Sequence, residues 1–515
     1  MTGGRRVRRS VIAYCPACHR SNPEQPLDQV RRLPAQLEDD GRVWLTRTCP
    51  DHGRLETLYE EVASILDYLE QWTTRPDRGT PDDPGNDGPL PAGYLRGLGA
   101  RQLQHTCILL EDVTNACNLR CPTCFAVSGP DSGRMIPIAD VLASVDQRLA
   151  REGGKLDVVM VSGGEPTLHP DLLPLLEGLA ERNIVRILLN TNGLRLARDD
   201  ELLGYLAEHC DHIELYLQFD GFRPATWRHH RGCDLRRVKE RIVARVSSAE
   251  VFATLVMTAA LGVNHDEMGA VVSYALETPF VGGVCIQPVI GSGRGTGIDP
   301  RRRLTHTGVL ARLGTQTGGV VTWQDLIALP CSHPHCASVG YMVQTDDGRW
   351  RSLVSIVGQE QLAAHLGLIS DRIVDPSITR ELRSLVSESL KGVLRRGSSL
   401  ADPGIRELFR NVNDVCDLRI GALIHSAAKL TRDQDRLRRL LATRVKRLQV
   451  KPFMDIDTMI EERLLQCCVH VGSRSGDRHQ CQSFCAAQAW PELSATKLSL
   501  AGPAAGQPVP SPVIT

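Results

Sequence analysis

The sequence lacks both a net charge and a long apolar run. Sixty Lys and Arg residues balance sixty Asp and Glu residues in a chain of 515 residues, so no overall field favours nucleic acid as a partner. We find no stretch of about 18 apolar residues that would form a membrane-spanning helix. The basic start MTGGRRVRRS continues into VIAYCPAC and not into the apolar core of a secretory signal. We therefore expect a cytoplasmic protein that binds no nucleic acid and whose only membrane contact would be peripheral.

The sequence also lacks the cysteine distribution of a disulfide scaffold. Its 17 cysteines are an odd number and occur in short-range groups, whereas a small secreted scaffold spreads its cysteines through loops. Grouped cysteines suit metal ligation. We therefore expect a reducing compartment in which several of these cysteines act as metal thiolates.

Changes in composition predict the domain boundaries. Two stretches are poor in apolar residues and rich in Pro and Gly, one after residue 72 and one at the carboxyl terminus, which is typical of linkers and disordered tails. A hairpin is predicted at Asp347-Gly348, followed by mostly helical patterns from about 376 to 447. We predict a disordered segment 1–10, a metal-binding knuckle domain 11–72, a linker 73–101, a core domain 102–300, a C-terminal auxiliary domain 301–490 and a disordered tail 491–515.

From Cys107 onward, six short apolar runs alternate with amphipathic helical patterns. Apolar strands separated by helices predict βαβ units and a parallel sheet. Six such units in one domain favour a barrel-like or partly closed α/β sheet over a sandwich.

The segment TNACNLRCPTCFA places Cys117, Cys121 and Cys124 directly after the first predicted strand. Functional groups collect at the carboxyl ends of parallel strands. Three thiolates at this spacing can hold an iron–sulfur cluster. A structural zinc site would need a fourth ligand, and the next cysteine is Cys210. Three ligands would leave one coordination position open for a substrate or a cofactor.

The segment VVMVSGGEPTLHP places the sequence GGEP after the second predicted strand. Its two glycines allow a ligand to approach the backbone closely, and Glu165 could accept a hydrogen bond from an ammonium group. With CxxxCxxC after the first strand and GGEP after the second, the chain resembles the radical S-adenosylmethionine (radical SAM) enzymes. This resemblance implies that the methionine amino group of SAM is lined by Gly163, Gly164, Glu165 and Pro166.

The same resemblance implies a fold and a chemistry. The fold would be α/β, a partial (β/α)6 TIM-like barrel. Cys117, Cys121 and Cys124 would hold a [4Fe–4S] cluster, and SAM would occupy the fourth iron. One electron would then release a 5′-deoxyadenosyl radical that abstracts hydrogen from an unactivated C–H bond. The cofactor carries this chemistry, so we predict no catalytic residue beyond the cluster-bound SAM.

Polar residues follow the later predicted strands. Ribose, carboxylate, adenine or substrate could be bound there by Asn190, Asn192, Gln218, Asp220, Gln287 and Arg294. Asn-Gly and Asp-Gly are also turn formers, so turn and capping roles remain open for the first four.

Two further groups of cysteines suit metals. The knuckles YCPACHRS and RTCPDHG predict a tetrahedral zinc or mononuclear iron site formed by Cys15, Cys18, Cys49 and His52. One or two further clusters, or a structural zinc, could be held by Cys331, Cys336, Cys416, Cys467, Cys468, Cys481 and Cys485. The remaining cysteines lie in strand or helix patterns and are expected to be ordinary core residues, namely Cys107, Cys210, Cys233 and Cys285.

Several motifs narrow the resemblance. The segments CPAC, CPDHG, RGCDLRRVKE, IQPVIGSGRG, LPCSHPHC and CCVH in one chain resemble the tetraether lipid synthase-like group, whose archaeal member has been described as a dihydropterin radical methyltransferase. The resemblance implies a rubredoxin-like N-terminal site, auxiliary [4Fe–4S] clusters in a mostly helical C-terminal domain, and radical C–C bond formation between lipid chains. The segment FCAAQAW departs from the residues that usually follow FC in this group, so the substrate does not transfer with the fold.

We therefore weigh three functions. The first is hydrogen abstraction for C–C bond formation on a lipid-like substrate, which predicts a long apolar tunnel to the Cys117–Cys124 loop. The second is radical methylation of a pterin-like small molecule, which predicts a small polar pocket. Both need an electron donor such as a flavodoxin or a ferredoxin. The third is a multi-cluster electron carrier, against which GGEP and the open triad argue.

Overall fold

The computed structural model describes residues 4–23, 25, 29–72, 98, 101–131, 133–345, 347–359, 362, 439, 441–475 and 478–490. Three predictions fall mainly or wholly outside these residues: the linker at 73–101, the helices at 376–447 together with Cys416, and the tail at 491–515. No helix within these ranges is long and apolar enough to cross a membrane.

The amino-terminal unit is a four-stranded antiparallel sheet with two helices. Its elements are β1 (Arg6–Tyr14), α1 (Pro16–Ser21), β2 (Arg32–Asp39), β3 (Val43–Cys49), β4 (Gly53–Glu60) and α2 (Ala63–Glu70). Burial alternates along β2, so one face of the sheet packs against a small core that includes Leu37 and Leu45.

The predicted disorder of residues 1–10 is wrong from Arg6 onward. Strand β1 begins at Arg6, whose backbone pairs in register with Asp39 of β2. The preceding Arg5 forms ion pairs with Asp40 and Glu56. Backbone hydrogen bonds between β1 and β2 therefore order this basic segment, although its composition predicts disorder.

The core is a run of six parallel strands in chain order. The strands are β5 (Ile108–Asp112), β6 (Leu156–Ser162), β7 (Ile184–Thr191), β8 (Ile213–Gln218), β9 (Ala253–Ala259) and β10 (Val281–Pro288). The helices that follow them are α3 (Ile138–Arg151), α4 (Leu172–Ala180), α5 (Asp200–Glu208), α6 (Pro224–Arg231), α7 (Arg236–Ser248) and α8 (Met268–Glu277). In α3, for example, Val141, Val145 and Leu149 recur at helical spacing and are buried. The predicted partial (β/α)6 fold is confirmed.

The C-terminal region extends this same sheet at both edges. Its elements are α9 (His306–Gln316), β11 (Ile327–Ala328), β12 (Ser338–Gln344), β13 (Trp350–Ser352), α10 (Leu353–Val357), β14 (Val445–Val450), α11 (Glu461–Leu465), β15 (Val469–Ser475), β16 (Arg478–Ser483) and α12 (Phe484–Ala489). Strand β14 lies parallel beside β10, and β15 lies parallel beside β5. The predicted boundary at residue 300 therefore does not separate two sheets, and the described part of 301–490 contains both strands and helices.

The predicted hairpin is confirmed. Strands β12 and β13 pair antiparallel, and Gly348 in the turn between them has φ +79°, which is the left-handed backbone that glycine adopts at no steric cost.

Candidate functional site

The cysteine triad lies on the loop after β5, at the carboxyl edge of the parallel sheet. Cys117 and Cys121 are buried and Cys124 is half-buried. Backbone hydrogen bonds hold the loop, from Cys117 to Gly129 (3.1 Å) and from Cys124 to Cys121 (3.2 Å). Burial raises the pKa of Cys117 to about 12. Cys117 therefore favours the protonated thiol in the absence of a metal, and metal binding would displace that proton.

The GGEP turn packs directly on the backbone of the triad loop. The amide of Gly164 donates to Thr114 O and that of Glu165 donates to Ala116 O, both at 2.7 Å. A Cβ atom on Gly163 would lie 2.2 Å from Thr114 O, and Gly163 has φ +124°. Any side chain at this glycine would collide with backbone. The two motifs that are 40 residues apart in the sequence therefore form one rigid surface around the triad.

Glu165 is held by residues of this chain. Its buried carboxylate accepts hydrogen bonds from Thr167 N (3.1 Å), Thr191 Oγ1 (2.6 Å) and Asn192 N (2.7 Å). Glu165 thus ties GGEP to the loop that follows β7. Its contact with SAM stays a prediction, as does that of Pro166, which begins a short 3₁₀ turn.

The asparagines at the end of β7 contact the ends of the two neighbouring strands and the triad loop. Asn190 Nδ2 donates to Ser162 Oγ at 2.9 Å, and Gln218 Nε2 donates to Asn190 Oδ1 at 3.2 Å. Asn192 Nδ2 donates to Asn118 Oδ1 of the triad loop at 2.7 Å. The structure therefore brings these three predicted site residues to the sheet edge that carries the triad.

Asp220 forms a buried ion pair with Arg231, a residue that the sequence analysis did not identify. Arg231 donates to Asp220 Oδ2 (2.6 Å) and to Gln218 Oε1 (2.9 Å), and its Nη1 lies 4.0 Å from Cys121 Sγ. Burial alone would raise the pKa of Asp220, but the adjacent guanidinium outweighs it and holds this pKa below its usual value. The pair places a fixed positive charge beside a cluster thiolate.

Gln287 and Arg294 differ in their surroundings. Gln287 Nε2 donates to Tyr216 OH at 2.9 Å. Arg294 instead clamps the triad loop, because its backbone amide donates to Cys124 O (2.9 Å) and its Nε to Cys121 O (2.8 Å). In this structure the guanidinium of Arg294 binds the backbone of the triad loop, and its contact with SAM or substrate stays a prediction.

The amino-terminal knuckles bring four ligand atoms together. His52 Nδ1 lies 3.6 Å from Cys15 Sγ, 3.4 Å from Cys18 Sγ and 3.5 Å from Cys49 Sγ. A tetrahedral ion with metal–sulfur bonds of about 2.3 Å separates its ligands by about 3.5–3.8 Å. The four residues therefore fit one metal ion.

The auxiliary cysteines form two groups. The Sγ atoms of Cys107, Cys331 and Cys468 all lie within 4.8 Å of one another. Cys107 is buried in the core, as predicted, and the pairing of β5 with β15 also brings it to Cys468. No sequence signal pointed to this contact, because Cys107 stands alone in an apolar strand pattern.

The second auxiliary group surrounds a buried arginine. Arg463 Nε donates to Cys336 Sγ at 3.3 Å, and electrostatic interactions couple Cys336 with Cys467 and Cys485. Burial raises the pKa of Cys467 to about 12. Cys481 lies in β16, paired with Gly472. The other cysteines predicted to be core residues are buried or packed against the core, namely Cys210, Cys233 and Cys285.

Comparison with known proteins agrees with this layout. Residues 112–275 match the family model of the radical SAM superfamily, and residues 8–61 match that of the HMPTM N-terminal zinc ribbon domain. The chain is 24% identical over 504 residues to the 7,8-dihydro-6-hydroxymethylpterin dimethyltransferase of Methanocaldococcus jannaschii, covering 90% of each protein. It is 29% identical over 169 residues to a probable GTP 3′,8-cyclase of Methanocella arvoryzae, covering 33% of this chain and 53% of that protein.

Two solved structures are also similar. Streptococcus suis SuiB bound to S-adenosylmethionine has a TM-score of 0.34 and 18% identity, covering 41% of this chain and 47% of that chain. Native anSMEcpe with bound AdoMet has a TM-score of 0.33 and 22% identity, covering 42% of this chain and 63% of that chain. The triad and GGEP both fall within the matched superfamily region, and the four knuckle ligands fall within the matched ribbon.

Proposed function

We propose that this radical SAM enzyme, which carries an N-terminal zinc ribbon, methylates a polar, pterin-like heterocycle. When bound, the [4Fe–4S] cluster and SAM supply hydrogen-atom abstraction from an unactivated carbon. The chain's own residues would position SAM and the heterocycle and exclude water.

One observation carries the choice of a polar substrate. Polar side chains of β6, β7, β8 and β10 form short hydrogen-bonded chains on the sheet. Gln218 is hydrogen-bonded to Asn190, Asn190 to Ser162, and Gln287 to Tyr216. Asn190 and Tyr216 are in register on neighbouring strands, so these groups share one face of the sheet.

Such a face suits a heterocycle with ring nitrogens and a carbonyl group. Amide and phenol groups can both donate and accept hydrogen bonds, as a pterin ring requires. These groups are already partly paired with one another, but an apolar chain laid on the same face would leave their remaining donors and acceptors without partners, at about 1–3 kcal/mol for each buried group left unsatisfied. The similarity over 90% of the chain to a protein named as a dihydropterin dimethyltransferase supports the same substrate class.

The enzyme requires a source of electrons. We include in the proposal a flavodoxin or a ferredoxin as the reducing partner, because three cysteine groups lie in the chain besides the triad. The proposal also includes a cytoplasmic location, because reduced cysteine thiols and low-potential electron carriers occur in that compartment.

The test uses the anaerobically reconstituted full-length protein. We expect that SAM, dithionite and 6-hydroxymethyl-7,8-dihydropterin yield 5′-deoxyadenosine and methionine from one SAM, S-adenosylhomocysteine from a second SAM that donates its methyl group, and a pterin in which a methyl group replaces one hydrogen. Dithionite supplies the two electrons that this reaction consumes. Cys121→Ala should abolish all of these products, whereas Cys210→Ala, in the core and outside the cysteine groups, should retain them. Formation of 5′-deoxyadenosine without any change in the pterin would overturn the substrate class.

A lipid-like substrate is the second candidate, and a group of three phenylalanines favours it. Phe125, next to the triad, meets Phe484 edge-on at 5.6 Å, and Phe484 meets Phe453 at 4.4 Å. Phe484 also precedes Cys485. Apolar rings thus link the triad loop to the second auxiliary group. Phe484 is buried, so an alkyl chain would lie against the half-buried Phe125 and Phe453. In the same assay, deuterium transfer into 5′-deoxyadenosine from deuterated lipid vesicles, and none from deuterated pterin, would favour this candidate.

A further inference from the structure

We propose that Lys451 selects the substrate by donating a hydrogen bond to a ring carbonyl oxygen of the pterin-like heterocycle. This inference rests on the proposed function and names a residue that would read the acceptor edge of the ring. Lys451 directly follows β14, which runs parallel to β10. The carboxyl end of β14 therefore lies at the edge of the sheet that carries the triad.

The strand register places Lys451 on the sheet face that carries Tyr216. Arg447 of β14 donates to Glu214 Oε1 at 3.1 Å, and Glu214 lies two residues before Tyr216 on β8. Side chains alternate along a strand, so Lys451, four residues after Arg447, faces the same way. The backbone amide of Lys451 still donates to Ile286 O of β10 at 2.9 Å, so the pairing of the two strands reaches this residue.

The charge of Lys451 acts on the group around Cys285. Burial raises the pKa of the Cys285 thiol, and the charge of Lys451 opposes this rise, together with hydrogen bonds from Tyr216 and Gln287. Gln287 Nε2 lies 3.8 Å from Cys285 Sγ and 2.9 Å from Tyr216 OH. The ammonium group therefore belongs to the part of the polar face that carries Gln287, a predicted site residue.

Lys451 is a buried cation without a counter-charge. It exposes 6% of its surface. Among the residues that the structure describes, none pairs with its ammonium group through a hydrogen bond or an ion pair. The other two buried lysines of these ranges, Lys239 and Lys446, donate to two and to three backbone carbonyls. Burying an unpaired charge is costly, so the ammonium group of Lys451 is suited to a ligand.

The segment after Lys451 is fixed to the loop that clamps the triad. The carboxylate of Asp455 accepts hydrogen bonds from Gly291 N at 2.8 Å and from Arg303 Nη2 at 2.6 Å. Gly291 lies on the loop after β10 that also contains Arg294, whose guanidinium binds the triad loop. Lys451 is thus held in place relative to the triad, as recognition of one substrate atom requires.

The chemistry of the group favours a heterocycle over an alkyl chain or SAM. An ammonium group has three donors and no acceptor, so it needs an electron-rich oxygen or nitrogen as a partner. A ring carbonyl supplies one, whereas an alkyl chain would leave the charge buried and unpaired. The triad and GGEP follow β5 and β6, but Lys451 follows β14, which lies beyond β10 in the sheet. We therefore assign Lys451 to the substrate and not to SAM.

The test measures dissociation constants by titration calorimetry of the full-length protein, reconstituted anaerobically and loaded with SAM without reductant. The probes are 6-hydroxymethyl-7,8-dihydropterin and its 2,4-diamino analogue, in which an amino group replaces the ring carbonyl oxygen. We expect the wild type to prefer the carbonyl compound. Lys451→Met should weaken binding of that compound by about 10- to 100-fold, the equivalent of one hydrogen bond to a charged group, and should not weaken binding of the analogue. Lys451→Arg should keep the preference, because it keeps the charge and the donors.

Binding of SAM separates recognition from a loss of structure. The dissociation constant for SAM should be the same in all variants. Lys155→Met is the matched control, since Lys155 precedes β6 at the opposite edge of the sheet, and it should leave every constant unchanged. An unchanged preference in Lys451→Met, or an equal loss of pterin and SAM binding, would overturn the role of Lys451 alone. A wild type that binds neither pterin would overturn the proposed function, and this proposal with it.

Discussion

A Cβ atom on Gly164 would lie 2.1 Å from the carbonyl oxygen of Ala116 in the triad loop. The contact is between backbones, so no side chain can rotate away from it. The GGEP turn and the triad loop are thus fitted backbone to backbone, and the predicted position of SAM relative to the cluster would depend on this fit.

We predict that Gly164→Ala lowers the rate of 5′-deoxyadenosine formation by about 100-fold, because a misplacement of about 1 Å has an effect of that size. The measurement is a single-turnover assay with reconstituted protein. Gly204→Ala is the matched control, since nothing lies within 4 Å of a Cβ there, and alanine in a helix should leave the rate unchanged. Equal rates for the two variants would mean that the turn can move.

The buried pair of Asp220 and Arg231 gives a stability prediction. Asp220→Asn leaves the largely buried guanidinium of Arg231 beside Cys121 without its counter-charge, which costs about 3–5 kcal/mol. The free energy of unfolding in guanidinium chloride should fall accordingly. Adding Arg231→Met to Asp220→Asn should recover part of the loss, because the orphaned charge is gone. If the double variant is no more stable than Asp220→Asn, the pair contributes little.

The zinc ribbon is coupled to the C-terminal helix through aromatic rings. Tyr14, adjacent to the ligand Cys15, meets the buried Trp490 edge-on at 5.3 Å, and Trp490 follows the helix that contains Cys485. We predict that removing the ribbon metal with a chelator exposes Trp490, because the ribbon unfolds locally without it. Its fluorescence should shift to the red and become accessible to acrylamide. Trp490→Phe should lack this change, and metal loss without it would contradict the coupling.

Local spacing made much of the site predictable. The triad, GGEP and each of the two knuckles lie within one short segment. The residues of one motif are therefore near one another in any fold that keeps its loop. The order of β5 to β10 also follows from the alternation of strands and helices. These features depend on neighbours in the sequence.

Features that depend on distant pairing were not predictable. The sequence analysis did not identify β14 or β15 as strands that join the two edges of the core sheet, and only the pairing of β15 with β5 brings Cys107 to Cys468. Arg231 was missed for a related reason. It ends a basic run, RHHR, that is typical of a solvated helix face, and only the packing of α6 buries it beside Asp220.

Lys239 gives a prediction about pH. This lysine of α7 is buried, and its ammonium group donates to the backbone carbonyls of Asn192 and Gln218. Burial, assisted by the nearby charge of Arg231, lowers its pKa from 10.5 to about 7. Lys239 thus connects the ends of β7 and β8, which carry predicted site residues. Its lowered pKa means that the folded protein binds this proton less tightly than the unfolded chain does.

The sign of the effect follows from proton binding. Between pH 7 and pH 10.5 the unfolded chain binds more protons at Lys239 than the folded chain, so the free energy of unfolding rises with pH, by at most about 1.4 kcal/mol per pH unit. Lys239→Met has no such group and should lack this rise. Urea unfolding of the anaerobic reconstituted protein at a series of pH values from neutral to mildly alkaline measures both slopes. Equal slopes in the two proteins would show that Lys239 keeps an ordinary pKa, so that its two carbonyl hydrogen bonds compensate for burial.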